Sequence, residues 1–459
     1  MDSLVNENSL GQKLKVIFAL AIPAVVENFF QTIIGFVDIL FISKLGLIEV
    51  TAVGITNAVL QVYFAIFMSL GVAANIYIAR YIGAEDSENT RKIAQQSIIL
   101  AVISGLILGL ITLFFARDLL MLLGAEPEVL DAGEIYFKIV AIPSIVISLM
   151  FVLSSILRGT GDTKTPMKVS IWINLLNIVL DYVFIFGFYF IPALGLVGAG
   201  MATVIARLIG SLLLFYYLSK TKSIHSFRFI DWMPKLDIQK RLLIVGSPAA
   251  GERLVMRIGQ VLYFGFVIQM GTNTFAAHTI AGNIEVFSYM IGYGLATAAT
   301  TLVGQLLGAG QTDTAKDYAF LLTILSIGVM SLVGVILYFS GGWIGTFFTK
   351  DVEVLRQISI ALKIDAFIQP ILGAVIVLTG VFQGGGNTKI PMYITAIGIW
   401  VIRTGGVYLL GISLNLGIAG IWVAIGLDNL FRAVSLWYKY RRHQWIRKDL
   451  FNDKETRAN

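Results

Sequence analysis

Two apolar segments of the chain carry carboxylate and amide side chains at helical spacing. Glu27, Gln31 and Asp38 fall on one stripe of the first segment, because their separations of four and seven residues match whole turns of an α-helix. Asn177 and Asp181 share a face of a later segment for the same reason. Oxygen ligands suit Na⁺, and two close carboxylates in a medium of low dielectric cannot both stay ionised. We call these two polar stripes the polar seams. Together they predict a Na⁺ or proton site at Asp38, Asn177 and Asp181.

Other charged side chains interrupt apolar segments in the second half of the chain. A charge at the centre of a bilayer costs about 2.5–3.5 kcal/mol, so such residues usually face the protein interior and have a function. Asp428 is followed four residues later by Arg432, which predicts a structural ion pair. The remaining ionisable residues of interest are Glu252, Arg253, Arg257, Glu285, Asp365 and Arg403.

The elements that must position these residues are membrane-spanning helices. Hydrophobic residues make up 57% of the chain, charged residues only 14%, and the mean hydropathy is +0.82. Twelve apolar runs have the length needed to cross a bilayer as a helix, and the short alternating segments of a β-barrel are missing from the sequence. We therefore predict an all-α integral membrane fold with twelve transmembrane helices. Their expected spans are 16–43, 52–80, 93–116, 132–157, 166–190, 194–219, 241–270, 276–306, 318–341, 357–382, 390–411 and 416–438.

The chain repeats itself at an offset of 225 residues. The segment 157–167 returns as 382–392 with six of eleven positions identical, and Pro23, Glu27, Gly83 and Lys138 also meet identical residues at that offset. Six helices per half is an even number, so both halves enter the membrane from the same side and form a parallel pseudo-twofold repeat. We expect an N-lobe at 1–219, a cytoplasmic linker at 220–240, a C-lobe at 241–438 and a basic cytoplasmic tail at 439–459.

The distribution of positive charge predicts the orientation. Of the 34 Lys and Arg residues, 23 lie in the termini and the loops after even-numbered helices, against four in the loops after odd-numbered helices. By the positive-inside rule both termini are cytoplasmic, in a multi-pass protein of the cell membrane. The net charge of +6 is thus a topology signal, and we expect no nucleic-acid partner. The tail combines positive charge with aromatic residues, which predicts an anchor on anionic lipid at Trp437, Tyr438, Tyr440, Arg441, Arg442, Trp445, Arg447 and Lys448.

The repeated motif itself has a structural and a chemical interpretation. Gly159-Thr-Gly-Asp-Thr-Lys164 resembles a phosphate-binding loop in composition, but it lacks the GxxxxGK[ST] spacing and follows no strand. We interpret it, and its copy, as a tight helix–helix turn. An enzyme is not expected, since the chain has no Cys, only three His (His225, His278 and His443) and no recognisable nucleophile–base or metal-ligand spacing.

These features together resemble the multidrug and toxic compound extrusion (MATE) family. The resemblance rests on the Gly35-Phe-Val-Asp38 end of the first segment, the Leu157-Arg-Gly-Thr-Gly-Asp162 turn, the Val303-Gly-Gln-Leu-Leu-Gly-Ala309 segment and the twelve-helix plan. It covers almost the whole chain. The resemblance implies a cation-coupled (Na⁺ or H⁺) antiporter that exports amphipathic, mostly cationic compounds by alternating access, with no cofactor besides the coupling ion.

The resemblance also implies roles for individual residues. The cation-coupling positions it implies are Asp38, Asn177, Asp181, Thr203, Glu252 and Asp365. The expected substrate cavity involves Glu27, Gln31, Met256, Tyr289 and Gln369, although packing is an alternative role for Met256 and Tyr289. The partners expected are drug-like organic cations and the lipid bilayer, and the expected oligomeric state is a monomer. A flippase for a lipid-linked sugar is the alternative function, because Arg253, Arg257 and Arg403 could form a basic cavity.

Overall fold

A computed structural model of the 459-residue chain describes residues 9–221, 223–224 and 232–447. In these ranges the fold is all-helical, as predicted, with two isolated β-bridges and no strand. The helices are α1 (Leu10–Ile42), α2 (Leu47–Gly83), α3 (Ser87–Leu122), α4 (Pro127–Ala141), α5 (Ser144–Gly159), α6 (Lys164–Phe186), α7 (Gly195–Ser219), α8 (Leu236–Gln269), α9 (Thr272–Gly308), α10 (Thr312–Gly345), α11 (Val352–Gly384), α12 (Lys389–Ser413) and α13 (Gly417–Arg441).

The predicted twelve spans correspond to these helices, with one break. Ten helices of the described chain are long and apolar enough to cross a membrane, and the pair α4 and α5 counts as an eleventh span bent by 47°. The bend lies at Pro143, directly before α5, where proline prevents a continuous helix. Helix α8 is 34 residues long but more polar, and it supplies the twelfth segment. The span predicted at 132–157 lies within this bent pair.

The chain divides into two compact units at equivalent points of the repeat. We call Val26–Ala250 the N-unit, and the described residues of Met1–Val25 together with Gly251–Asn459 the C-unit. Helices α1 and α8 therefore each contribute to both units, and each division falls two residues after a proline, Pro23 or Pro248. The lobes expected from the sequence consisted of whole helices and so differ from these units at α1 and α8. Residues 222 and 225–231 of the expected linker lie outside the described residues, as do residues 448–459 of the tail.

The N-unit has an aromatic core formed by α2, α3, α4 and α5. Tyr63, Phe67 and Phe137 pack together in it, with ring centroids 6.2–6.5 Å apart. The Tyr63 hydroxyl lies 2.9 Å from the Thr112 hydroxyl, so the one polar atom of this aromatic group is satisfied. This packing places Tyr136, the buried neighbour of Phe137 on α4, near Asp38 of α1 and Asp181 of α6.

The C-unit is built around α9, α10, α11 and α13. Tyr318, Phe382 and Trp422 are among its fully buried side chains. The beginning of α1 also belongs here, because Ile17 and Leu20 pack in the same core cluster as Tyr318 and Phe382.

Both copies of the repeated glycine motif form helix–helix turns, as predicted. Gly161 between α5 and α6 has a φ of 92°, and Gly386 between α11 and α12 has a φ of 84°, a conformation that favours glycine. In the first copy Asp162 caps α6, since its carboxylate accepts a 2.9 Å hydrogen bond from the Thr165 amide. The phosphate-loop interpretation has no support in this geometry.

The second copy differs because the C-terminal segment packs on it. Asn387, the counterpart of Asp162, donates a 2.7 Å hydrogen bond to the Gln444 carbonyl, and the Arg447 amide donates to the Gly385 carbonyl at 2.9 Å. Trp445 is fully buried and stacks on Tyr440 at 5.8 Å. The prediction that Trp445 anchors the tail in lipid was therefore wrong, because this side chain completes the core of the C-unit.

This docking makes a prediction about Gly385, the counterpart of Thr160. A Cβ at Gly385 would fall on the carbonyl oxygen of Trp445, which is backbone and cannot rotate away. We expect Gly385→Ala to lower the free energy of unfolding by roughly 1–3 kcal/mol, measured by thermal unfolding in detergent. Gly282→Ala is the matched control, since a Cβ there meets nothing within 4 Å. Equal stability of the two variants would contradict the docking.

Candidate functional site

The polar seams of α1 and α6 meet inside the N-unit. Asp181 and Asn177 are buried at 2% and 7% exposure, and Asp38 is half-buried beside them. Tyr136 of α4 lies close enough to interact electrostatically with both carboxyl groups. The structure thus brings Asp38 and Asp181 together, and Asn177 lies one helical turn before Asp181 among the buried residues of α6.

The two carboxyl groups of this site interact directly. The carboxyl groups of Asp38 and Asp181 lie close enough to interact with each other. Two close carboxylates in a medium of low dielectric cannot both stay ionised, so this arrangement favours a proton on one of the two groups. The pair can therefore hold one proton between two oxygens, or lose it and present two negative charges to a cation.

Several polar atoms of the site lack a protein partner. Asp38 Oδ1, Asp181 Oδ2 and Asn177 Nδ2 are buried and make no hydrogen bond. The two ends of an asparagine amide can exchange by rotation, so Asn177 can offer either a donor or an oxygen here. Unsatisfied buried polar atoms are rare in native structures and call for a ligand or an exchange partner. The donor set fits a proton or a small cation such as Na⁺.

Helix α7 supplies one predicted and one unpredicted residue. Thr203 is half-buried, and its hydroxyl donates to the Ala199 carbonyl of its own helix at 3.0 Å. Arg207, one turn later, has its guanidinium near Asp38 and 5.8 Å from the ring of Phe64. Arg207 and Tyr136 were not identified from the sequence. The available signal for Arg207 was a lone charge in an apolar segment, four residues after Thr203.

The predicted coupling acids of the C-unit have separate partners. The Thr395 hydroxyl donates to the Glu252 carboxylate at 3.0 Å. Asp365 is fully buried and accepts from the Gln369 amide at 2.7 Å, while its other oxygen has no partner. Glu285 of α9 is close enough to Asp365 for the two carboxyl groups to interact.

The predicted ion pair of α13 is present, and it includes a third residue that the sequence did not predict. Asp428 and Arg432 form an ion pair at 3.1 Å, and Arg403 of α12 binds the other Asp428 oxygen at 2.7 Å. Asp428 is fully buried. Arg403 is the last residue of a π-helical stretch of α12, Gly398–Arg403. Such wider helical turns are often found at functional sites.

The residues expected in a substrate cavity fall in both units. Glu27 is buried and paired with Arg158 at 2.6 Å, and the Gln31 amide lies 3.4 Å from the same carboxylate. Met256 and Tyr289 are half-buried in the C-unit, where Tyr289 contacts Tyr293 edge-on at 5.9 Å. Gln369, the fifth, is the buried partner of Asp365 described above.

The sequence model of the family described as MatE matches the chain twice, over residues 23–183 and 248–409. The chain belongs to the MATE family. The two matches begin 225 residues apart, which is the offset of the repeat found in the sequence.

Individual relatives and solved structures agree with this assignment. The "Probable multidrug resistance protein NorM" of Thermotoga maritima is 31% identical over 434 residues, covering 95% of this chain and 93% of its own. The "Uncharacterized transporter YisQ" of Bacillus subtilis is 27% identical over 436 residues, covering 95% of both. A crystal structure of MATE in the bent conformation is 26% identical with a TM-score of 0.87, covering 97% of both chains. A MOP superfamily transporter from Pyrococcus furiosus, described as having a binding pocket of reverse polarity, has the same identity and TM-score over 94% of this chain and 96% of its own.

This MATE protein is accordingly a multi-pass membrane transporter and not an enzyme. The prediction of the family and of the twelve-helix fold is confirmed by these matches.

Proposed function

We propose that this MATE transporter is a cation-coupled multidrug antiporter, which exports amphipathic and mostly cationic compounds in exchange for Na⁺ or H⁺. The observation that carries the proposal is the close pair of Asp38 and Asp181 carboxyl groups, each of which has a buried oxygen without a hydrogen-bond partner. The relatives support the substrate class, since the Thermotoga maritima protein is named as a probable multidrug resistance protein. A MATE crystal structure in complex with MaD3S, with 26% identity, matches this chain at a TM-score of 0.87.

The carboxyl pair can couple the two fluxes by competition. A proton or Na⁺ offsets one of the two negative charges of Asp38 and Asp181, and a cationic drug needs the same negative charge. Coupling requires only that the ion stabilise one conformational state more than the other. One net charge moved through 100 mV is worth about 2.3 kcal/mol, so exchange of two ions for one monocationic drug draws on the membrane potential, whereas exchange of one ion draws on the ion's concentration gradient alone.

The remaining residues have supporting roles in this proposal. Asn177 and Thr203 line the ion site of the N-unit, and Glu252 and Asp365 offer carboxylates for a second ion in the C-unit. The five candidate cavity residues are proposed to contact drug, namely Glu27, Gln31, Met256, Tyr289 and Gln369.

The same proposal includes the setting of the protein. It acts as a monomer in the cell membrane, with both termini in the cytoplasm, in keeping with the distribution of Lys and Arg. The lipid flippase is not proposed, because Arg403, one of the three arginines that suggested a basic cavity, is neutralised by Asp428.

Reconstituted protein tests the coupling directly. Liposomes that contain the purified protein are loaded with ethidium. A Na⁺ gradient or a pH gradient is then imposed, each without the other. We expect one of the two gradients to drive dye movement above the rate in liposomes without a gradient, because ion binding at Asp38 and Asp181 alters the drug site. Dye movement that is independent of both gradients would contradict coupled antiport.

A further inference from the structure

The turn that precedes α12 is held by the segment that follows α13. We call residues 444–447 the clasp. Asn387 of the turn donates a 2.7 Å hydrogen bond to the Gln444 carbonyl, and an isolated β-bridge joins Gly386 to Ile446. A side chain and the backbone of the turn therefore both bind the clasp.

A buried indole stabilises this docked arrangement. Trp445, the second residue of the clasp, is fully buried in the core cluster that also contains Phe382 and Tyr440. Its ring stacks on that of Tyr440 at a centroid distance of 5.8 Å. Burial of a large aromatic side chain is a strong driving force, so the clasp is a fixed part of the C-unit.

The first copy of the turn is fixed by its own residues instead. Asp162 accepts a 2.9 Å hydrogen bond from the Thr165 amide and a 2.6 Å hydrogen bond from the Thr165 hydroxyl, and so caps α6. Asn387 occupies the matching position of the second copy, but its amide group is bound to the clasp. The start of α12 therefore depends on a distant segment, whereas the start of α6 depends on a local cap.

Helix α12 carries a hydrogen-bond donor for an acid of the C-unit. The Thr395 hydroxyl, six residues after the start of α12, donates to the Glu252 carboxylate of α8 at 3.0 Å. The charged groups close to Glu252 are Arg253 of its own helix and Arg432 of α13. Thr395 can meet Glu252 only while α12 keeps its present rotation.

The rotation of α12 depends on its π-helical stretch. Gly398–Arg403 begins three residues after Thr395, and its last residue, Arg403, is bound to Asp428 at 2.7 Å. A π-helical turn contains more residues than an α-helical turn and is uncommon. If the stretch relaxed to α-helix, the start of α12 would turn, and one residue of register corresponds to about 100°. Arg403 holds one end of the stretch, so the other end must be held at or before Thr395.

We propose that the clasp positions Thr395 for its hydrogen bond to Glu252. The docked clasp fixes the start of α12, so the π-helical stretch is held at both ends and Thr395 keeps its orientation. A hydroxyl that donates to a carboxylate stabilises the ionised form and competes with an ion for its oxygens. The clasp thereby lowers the affinity of Glu252 for the coupling ion and favours ion release. The inference rests on the proposed ion-coupled function, in which Glu252 offers a carboxylate to an ion.

Hydrogen–deuterium exchange followed by mass spectrometry tests the docking without transport. In the purified protein in detergent, we expect Trp445→Ala to speed amide exchange of residues 389–397, because the start of α12 loses its support. Residues 164–172 are the equivalent stretch of the first copy and should exchange at the wild-type rate. Ile358→Ala truncates a fully buried side chain of α11 and is the control for a general loss of stability. It should not speed residues 389–397 selectively.

Two further variants address the turn itself. Asn387→Ala removes the hydrogen bond to Gln444 but keeps the buried indole, so it should speed the same residues to a smaller extent. Asn387→Asp gives the second turn the capping residue of the first, and in the Trp445→Ala background it should restore part of the wild-type exchange. Wild-type exchange of residues 389–397 in both Trp445→Ala and Asn387→Ala would overturn the proposal.

The ion dependence of transport tests the positioning role. The Na⁺ or H⁺ concentration that gives half-maximal ethidium efflux is measured in liposomes. We expect Thr395→Val and Trp445→Ala each to lower this concentration by roughly 2- to 10-fold, as for loss of one hydrogen bond. The double variant should show no further shift, because both changes remove the same contact. Additive shifts, or a shift in Thr395→Val alone, would show that the clasp does not act through Thr395.

Exchange and transport separate this inference from the proposed function. If Trp445→Ala speeds exchange of residues 389–397 but neither gradient drives efflux by the wild-type protein, coupled antiport fails while the support of α12 by the clasp stands. If a gradient drives efflux and Trp445→Ala alters neither exchange nor ion dependence, the positioning role fails while antiport stands.

Discussion

Asp181→Asn should abolish most gradient-driven drug efflux while leaving the protein folded. The amide has the shape of the carboxyl group and can lie beside Asp38 in the same way, so the packing of the site survives. What is lost is one of the two negative charges that the site can present to an ion. Charged hydrogen bonds are worth about 1.5–3 kcal/mol, so ion affinity and coupled efflux should fall roughly 10- to 100-fold.

The measurement is ethidium efflux from reconstituted liposomes under an imposed Na⁺ or pH gradient. Asp38→Asn should give a similar loss, and the double variant should lose little more, because the two carboxyl groups interact and act as a unit. Asp313→Asn serves as the control, since Asp313 is an exposed carboxylate at the start of α10. Wild-type efflux by Asp181→Asn under both gradients would remove the N-unit pair from the mechanism.

Asp428→Ala should cause the largest loss of stability among the variants considered. Its carboxylate is fully buried between Arg403, at 2.7 Å, and Arg432, at 3.1 Å. The substitution leaves two buried guanidinium groups without their counter-charge. Removing one partner of a buried ion pair costs about 3–5 kcal/mol, because the remaining charge is desolvated and uncompensated. A drop in the thermal unfolding midpoint in detergent would report this loss.

A second-site change distinguishes charge from packing. Adding Arg403→Met to Asp428→Ala removes one of the stranded charges and should recover part of the stability. Glu353→Gln is the matched control, since it breaks an exposed pair with Arg356 and should change stability by less than about 1 kcal/mol. Failure of the second substitution to restore any stability would show that the loss at Asp428 arises from a cavity.

The sequence determined which residues share a helix face and which segments repeat. Periodicity alone placed Asp38 on the polar stripe of α1 and Asp181 on that of α6, because the pitch of an α-helix is set by backbone geometry. The glycine turns were predictable for the same reason, as positive φ is a local property of the chain. The 225-residue repeat was visible in the sequence, and the two matches of the family model begin at the same offset.

Only the tertiary structure decided which stripes face one another. The approach of α7 places Arg207 beside Asp38, and the fold-back of the chain after α13 buries Trp445, neither of which local spacing encodes. The link between Arg403 and Asp428 likewise spans two helices and depends on how α12 and α13 pack. Helix pitch is an intrinsic property of the backbone, whereas the choice of neighbour comes from the summed packing of many distant side chains. The sequence therefore identified the acids of the site, whereas only the fold showed that Arg207 lies beside them.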